Sequence, residues 1–406
     1  MIHHIELAEY ETKEVRLDAG QARRLASAAQ NALDVRHAEG SGAYRVGATN
    51  FVGTLVVDDL KVLIRPKIRL ENLFLMLEAG LPRQAWRQEA FEYAVSGDLL
   101  SAMVAFYART LETTLARGLL RSYRLHEEAL VALRGRVDVT AQFRQGGVQL
   151  PVPCRYDEHT IDIAENIFLK AAARHCLRLR GVHPEDRQRL LRQLAEFEGV
   201  TDRPVRAADL DQLHETRLNA HYWPALRLAR LLLESRSLAD QWGDRATSSF
   251  LVDMNRLFED FITGRLRREL QGRVQVKSQH WAHLAEGDRV PIRPDLVFWR
   301  QDKPAYVADI KYKLTGDARA RPSDYYQLLA YTTALGLPEG MLIYCHADEG
   351  APESIITVRH AGKRLLTTAI SLQGSPDEVA ESVEELAATI SRRIDGGLSL
   401  AGRLVA

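Results

Sequence analysis

Asp309 and Lys311 stand two apart in the run Ala305-Tyr306-Val307-Ala308-Asp309-Ile310-Lys311-Tyr312-Lys313, whose apolar and β-branched residues predict a strand. Side chains alternate across a strand with period two, so Asp309 and Lys311 emerge on one face and Ala308, Ile310 and Tyr312 on the other. The run Arg293-Pro294-Asp295-Leu296-Val297-Phe298-Trp299 precedes it, with a turn expected at Gln301-Asp302-Lys303-Pro304, so the two read as a hairpin. Asp295 begins the first strand, where it can meet Asp309 and Lys311 across the ladder. Two carboxylates converging at a strand end offer hard oxygens suited to magnesium, and a neighbouring lysine can hold or activate a water and offset charge on a phosphate. That is the chemistry of phosphodiester hydrolysis. The plainer alternative makes Asp295 a turn residue and Asp309–Lys311 an ion pair worth about 0.2–1 kcal/mol.

Two helices carry further candidates. In Met254-Asn255-Arg256-Leu257-Phe258-Glu259-Asp260-Phe261-Ile262, Glu259 lies in line with Ile262 and Leu266 at the edge of the apolar stripe, whereas Asp260 neighbours Arg256 and Arg267 on the outer face. Glu259 is therefore the carboxylate expected to look inward. A helix is also expected after Pro322-Ser323, with Ser323 as cap and Asp324 at the positive end. On it Gln327 and Tyr331 are four apart and share a face, so an amide and a phenol can aim together at the centre or at nucleic acid. The alternative leaves Tyr331 in the core and Gln327 in solvent.

Residues 1 to about 70 alternate in short runs such as Ala43–Val46, Gly53–Val57 and Lys61–Ile64, interrupted by a helix expected over Ala19–Leu33. Helical spacing takes over at Leu73, Leu77, Leu99, Met103, Phe106 and Leu111, and strands return at Leu133–Val137 and around Val148–Val152. From Ile161 to about Ser237 nearly every window is helical. A helix over Phe250–Leu270 then leads into three strands, a helix, two strands and a last amphipathic helix at Pro376–Ile394. The fold class is α/β in the α+β multidomain sense: a β-rich part at 1–165, a helical segment at 166–245 and a mixed sheet flanked by helices at 246–406.

The order of these parts, helix with Glu259, strands, Pro294-Asp295, Asp309-x-Lys311 and the Gln327-x-x-x-Tyr331 helix, resembles the core of the PD-(D/E)xK nuclease superfamily in its RecB-like branch. Further upstream, Leu63-Ile64-Arg65-Pro66-Lys67-Ile68, Glu71–Leu77, Arg117-Gly118-Leu119 with Tyr123, Leu133-Arg134-Gly135-Arg136-Val137, Tyr156-Asp157-Glu158 with Asn166, and Asn255–Glu259 are similar to the McrC family, over nearly the whole chain. That family supplies the nuclease subunit of McrBC modified-cytosine restriction systems. The resemblance implies that Asp295 and Asp309 bind Mg2+, that Glu259 completes the ligand set and that Lys311 orients the attacking water. Gln327 and Tyr331 would support the centre or the DNA. It also implies a McrB-like AAA+ GTPase hexamer as partner, engaged by the part at 1–165, with modified-cytosine-containing DNA as substrate. Arg65, Lys67, Arg134 and Arg136 are candidate contacts to that ring, against the plainer reading that they are solvated strand residues.

The composition fits this reading. The 406 residues carry 54 basic and 54 acidic side chains, which argues against a protein that coats nucleic acid by bulk charge, although a local groove can hide in a neutral total. The three cysteines, Cys154, Cys176 and Cys345, have no CxxC spacing, so neither a disulfide framework nor a cysteine zinc site is expected. No apolar run approaches the roughly 18–20 residues that span a bilayer, and no export signal is visible, so a cytoplasmic protein without a membrane segment is expected. Gly362-Lys363 has Thr357 where a phosphate loop needs glycine, so any motor belongs to a partner. Two other readings stay open: a non-catalytic adaptor that stimulates the partner ring, and a free-standing RecB-like repair nuclease.

Overall fold

The computed structural model describes residues 3–29, 31–38, 42–78, 99–144, 150–179, 182–242, 250–313, 321–346 and 354–401. They form two compact units, residues 1–99 with 248–406, and residues 100–247.

The first unit opens with β1 (His3–Ala8), β2 (Thr12–Val15), α1 (Ala19–Ala29), β3 (Leu33–His37), β4 (Tyr44–Ala48), β5 (Phe51–Val57), β6 (Leu60–Arg65) and α2 (Leu70–Glu78). β6 pairs parallel with β1 and antiparallel with β5, and β2, β4 and β3 make a small antiparallel sheet. The helix expected to reach Leu33 stops at Ala29, because Leu33 and Val35 belong to a strand whose register sets Leu33 opposite Ala48.

The second unit is built on α3 (Leu99–Leu115), β7 (Ser122–Leu130), β8 (Arg136–Val137), α4 (Val139–Arg144), β9 (Val152–Thr160), α5 (Ala164–Arg178), α6 (Pro184–Glu196) and α7 (Trp223–Trp242). Its core buries Phe106, Phe168, Leu190 and Leu226, and the Tyr107 hydroxyl donates to the Leu169 carbonyl at 2.8 Å. β9 lies between β7 and β8. Gly135, at φ +68, passes so close to β9 that a Cβ would lie 2.4 Å from the Arg155 oxygen, which explains the glycine in Leu133–Val137. Val148 of the expected strand lies outside the described residues.

The chain then returns to the first unit with β10 (Phe250–Asp253), α8 (Met254–Glu269), β11 (Gln275–Ser278), β12 (Ala282–Ala285), β13 (Arg289–Ile292), β14 (Leu296–Arg300), β15 (Lys303–Tyr312), α9 (Pro322–Ala334), β16 (Glu339–His346), β17 (Ser354–Thr357), β18 (Arg364–Ser371) and α10 (Pro376–Ala401). Six strands form one mixed sheet in the order β11-β14-β15-β16-β18-β17, with β15, β16 and β18 parallel. Such parallel strands are buried on both faces. On one face Val307 packs with Leu328 and Tyr331 of α9, and on the other Tyr312 meets the Phe258 ring of α8.

The helix expected over Phe250–Leu270 gives up its first residues to β10, which pairs with β5. Asp253 ends that strand and caps α8, accepting from the Asn255 N–H at 2.9 Å and from the Asn50 amide at 2.6 Å. Buried Asn72 on α2 donates to the carbonyls of Leu372 and Gly374 at 2.7 and 2.8 Å. The structural division thus differs from the sequence boundaries: the N-terminal part groups in one unit with the C-terminal part, keeping its own sheets, while residues 100–165 group with the helical segment. The change expected near 245 falls beside Ser248.

Candidate active site

The hairpin that brings the carboxylates together is tighter than the sequence suggests. Its turn is only Gln301-Asp302, both with positive φ, at 50° and 59°, the conformation of a two-residue turn matching strand twist. Lys303 and Pro304 are already in β15, and a bulge between Phe298 and Trp299 shifts the register. Beyond the bulge Leu296 lies opposite Ala308 as the last pair of the ladder, and Asp295, the bend residue just before it, is brought beside Asp309, its Oδ2 accepting the neighbouring Ile310 N–H. The two carboxylates thus come together where the ladder ends.

Asp309 is fully buried, and the Lys311 ammonium lies 2.7 Å from its Oδ2. The contact is a close ion pair, and neither Asp309 oxygen has a hydrogen-bond donor of good geometry. Asp295 is held more fully. Its Oδ2 accepts the Ile310 N–H at 2.9 Å and its Oδ1 the Gln279 amide at 3.0 Å. The same amide nitrogen donates to Glu259 Oε1. Glu259 does look inward while Asp260 is exposed, but the Gln279 amide stands between Glu259 and Asp295.

The electrostatics follow from burial and like charge. Burial, then the neighbouring Asp295 charge, pushes Glu259 up to about 7. The same two causes, in that order, raise Asp309. Burial works against the Lys311 ammonium, but Asp309 and Asp295 outweigh it and raise its pKa. Ionised together, these carboxylates carry more negative charge than one lysine balances, and an added cation relieves it. Buried oxygens on Asp309 without a well-aligned donor, beside a second carboxylate, fit a hard divalent ion such as magnesium. Among the described residues no three His, Cys, Asp or Glu side chains gather as a ligand set, so the fit rests on the Asp295–Asp309 pair.

Gln327 and Tyr331 are also brought to the centre, by a route the spacing does not give. The Gln327 amide donates to the Tyr331 hydroxyl at 2.6 Å, and that hydroxyl donates to the Arg293 carbonyl at 3.3 Å, two residues before Asp295. Tyr331 is buried in the α9 core, so its phenol steadies the main chain that presents Asp295. The cap of α9 is not Ser323, which is exposed. Asp324 reaches back to the Arg321 N–H at 3.2 Å, accepts the Tyr344 hydroxyl at 2.7 Å and pairs with Lys313. His280 packs edge-on to Trp299 at 5.4 Å between centroids, while Arg65 pairs with Glu6 and Arg134 with Glu158.

One residue of the site and one behind it escape the sequence reading. Gln279 follows β11 with φ +51, a conformation that no spacing announces. Glu9 is fully buried behind β15, where its Oε2 accepts the Lys67 N–H at 2.9 Å and the Tyr312 hydroxyl at 3.2 Å. Nothing in its local sequence marks it as interior.

Comparison with known proteins adds a family and a fold. The family described as McrBC 5-methylcytosine restriction system component matches residues 46–345. A chain of the refined half-complex from a tetradecameric assembly of Thermococcus gammatolerans McrB AAA+ hexamers with bound McrC is similar at a TM-score of 0.51 and 20% identity, over 94% of this chain and 100% of that one. A chain of the cryo-EM structure of the Thermococcus gammatolerans McrBC complex matches at 25% identity and a TM-score of 0.43, over 66% of this chain and 88% of that one. No curated protein matches. No helix among the described residues is long and apolar enough to cross a membrane.

Proposed function

The chain belongs to the family of McrBC 5-methylcytosine restriction system components, and on that premise we propose that it is the McrC-type subunit, a magnesium-dependent endonuclease that hydrolyses phosphodiester bonds in modified DNA when activated by a translocating AAA+ GTPase. The observation that carries the reading is the cross-strand meeting of Asp295 with Asp309, with Lys311 on the same strand face 2.7 Å from Asp309 Oδ2.

Asp295 and Asp309 would hold the ion, and magnesium bound there supplies Lewis acidity and neutralises charge on the scissile phosphate. Kept protonated by the two carboxylates, Lys311 has no lone pair to act as a base. It donates hydrogen bonds instead, orienting the attacking water through its oxygen and balancing charge on a phosphate oxygen. Tyr331 and Gln327 keep the turn before Asp295 in register with β15. Burial of Asp309 keeps bulk water from screening these charges.

Support for a protein partner comes from the second unit, where Tyr123, Leu125, Val131, Leu133, Val139 and Phe143 are all more than half exposed. Exposed apolar residues concentrated around one small sheet mark an interaction surface. As family membership suggests, the occupant is the GTPase ring. The test is a cleavage assay with the partner present. Asp309→Ala is expected to abolish cutting while the partner's GTP hydrolysis is stimulated as before; wild-type cutting by that variant would show that the centre lies elsewhere.

A further inference from the structure

Gln279 is fastened to Asp295 twice. Its N–H donates to the Asp295 carbonyl at 2.9 Å, and its side-chain amide donates to Asp295 Oδ1 at 3.0 Å. The Arg293 guanidinium donates to its carbonyl at 3.2 Å, closing a loop around the Pro294-Asp295 turn. The left-handed φ of +51 is unfavourable for a non-glycine residue, and such strain persists where surrounding bonds over-determine it. An amide NH2 has two donors, and here one goes to Asp295 and the other to Glu259. With the Ile310 N–H on Oδ2, both Asp295 oxygens are tied and the carboxylate plane is set, whereas both Asp309 oxygens lack a directed bond.

Resting on the nuclease reading above, we propose that Gln279 is a positioning residue that sets the Asp295 carboxylate for the metal, and that Glu259 acts through the Gln279 amide rather than as a ligand of its own. The amide lies where an ion shared by Glu259 and Asp295 would have to sit. Glu259 then works as the outer partner of a ligand's partner, orienting an amide that orients a carboxylate. Outer partners of this kind typically tune metal affinity by about 10–100-fold.

The relay is tested in the full-length chain by calorimetric titration of magnesium and of manganese. The variants are Gln279→Met, which keeps the length and backbone demands of glutamine without its donors, Glu259→Ala, and the two combined, each checked for wild-type thermal unfolding. Each single variant is expected to weaken binding by about 10–100-fold, and the double variant no more than the weaker single one, because either change breaks the same relay. Glu259→Gln, which keeps an acceptor for the amide, is expected to regain most of what Glu259→Ala loses. If Gln279→Met fails the unfolding check, that pair of Glu259 variants carries the test alone. Unchanged affinity in Gln279→Met, additive losses in the double variant, or no rescue by Glu259→Gln overturns the relay while the nuclease reading stands. A wild-type chain that binds neither metal overturns both.

Discussion

Asp309 is costly to bury as a charge unless something answers it; Lys311 lies 2.7 Å from it, and the proposed magnesium ion would add to that answer. Removing either group should therefore be felt in chemistry: Asp309→Ala and Lys311→Ala are each expected to lower the cleavage rate on the order of a thousandfold, read in single-turnover assays. Glu9 gives a separate prediction at the same scale. Burial pushes its carboxyl from 4.5 up to about 7, against the pull of the Lys67 N–H and the Tyr312 hydroxyl. A carboxyl raised on folding favours the native state below its unfolded value and loses that contribution as pH climbs through the folded one. Relative to Glu9→Gln, the wild type should thus lose stability between about pH 4.5 and 7, on the order of 3 kcal/mol in all. Denaturant unfolding of both proteins across that range checks it, and parallel pH profiles would contradict it. Asp295, Asp309 and Lys311 were legible in sequence because strand alternation and hairpin register are local rules. Gln279 and Glu9 were not, since one depends on a left-handed backbone and the other on contacts some three hundred residues away.

At the scale of elements, β10 is the piece on which the placement of α8 depends. Its pairing with β5 requires Gly53, where φ is +126 and a Cβ would lie 2.1 Å from the Phe250 oxygen. Gly53→Ala should cost at least about 2 kcal/mol, through strain and a broken ladder, and disturb the start of the helix that carries Glu259. The cap makes a milder test. Asp253→Ala should cost about 1 kcal/mol by calorimetry, with the loss of the Asn50 bond added. The sequence pattern blurred β10 into the helix because Phe250-Leu251-Val252 is a short apolar run that either structure accepts. It likewise passed over β18, a buried parallel strand whose apolar and threonine run shows no clean alternation. Long amphipathic helices and the alternating hairpin of β14 and β15 carried the readable signals.

For the whole molecule, the first unit draws on both ends of the chain, with residues 100–247 between them. A fragment of residues 246–406 lacks β5 as a partner for β10 and lacks the Asn72 bonds to Leu372 and Gly374. Such a fragment should show no cooperative melt, and a sharp transition at the full-length temperature would contradict the division. Sequence patterns reveal changes of composition along the chain, not which distant segments pack together, which is why the boundary near 165 has no counterpart in the units. Assembly with the proposed partner is the last scale, and it carries the account's central claim. The most direct measurement is cleavage of long modified and unmodified DNA in magnesium and GTP, by the full chain with and without the AAA+ GTPase, with Asp309→Ala alongside. We expect cutting of modified DNA only when the partner is present, and none with the variant. No cutting under any condition, with the partner's GTP hydrolysis still stimulated, would contradict the account and leave the chain an adaptor built on a nuclease-like scaffold.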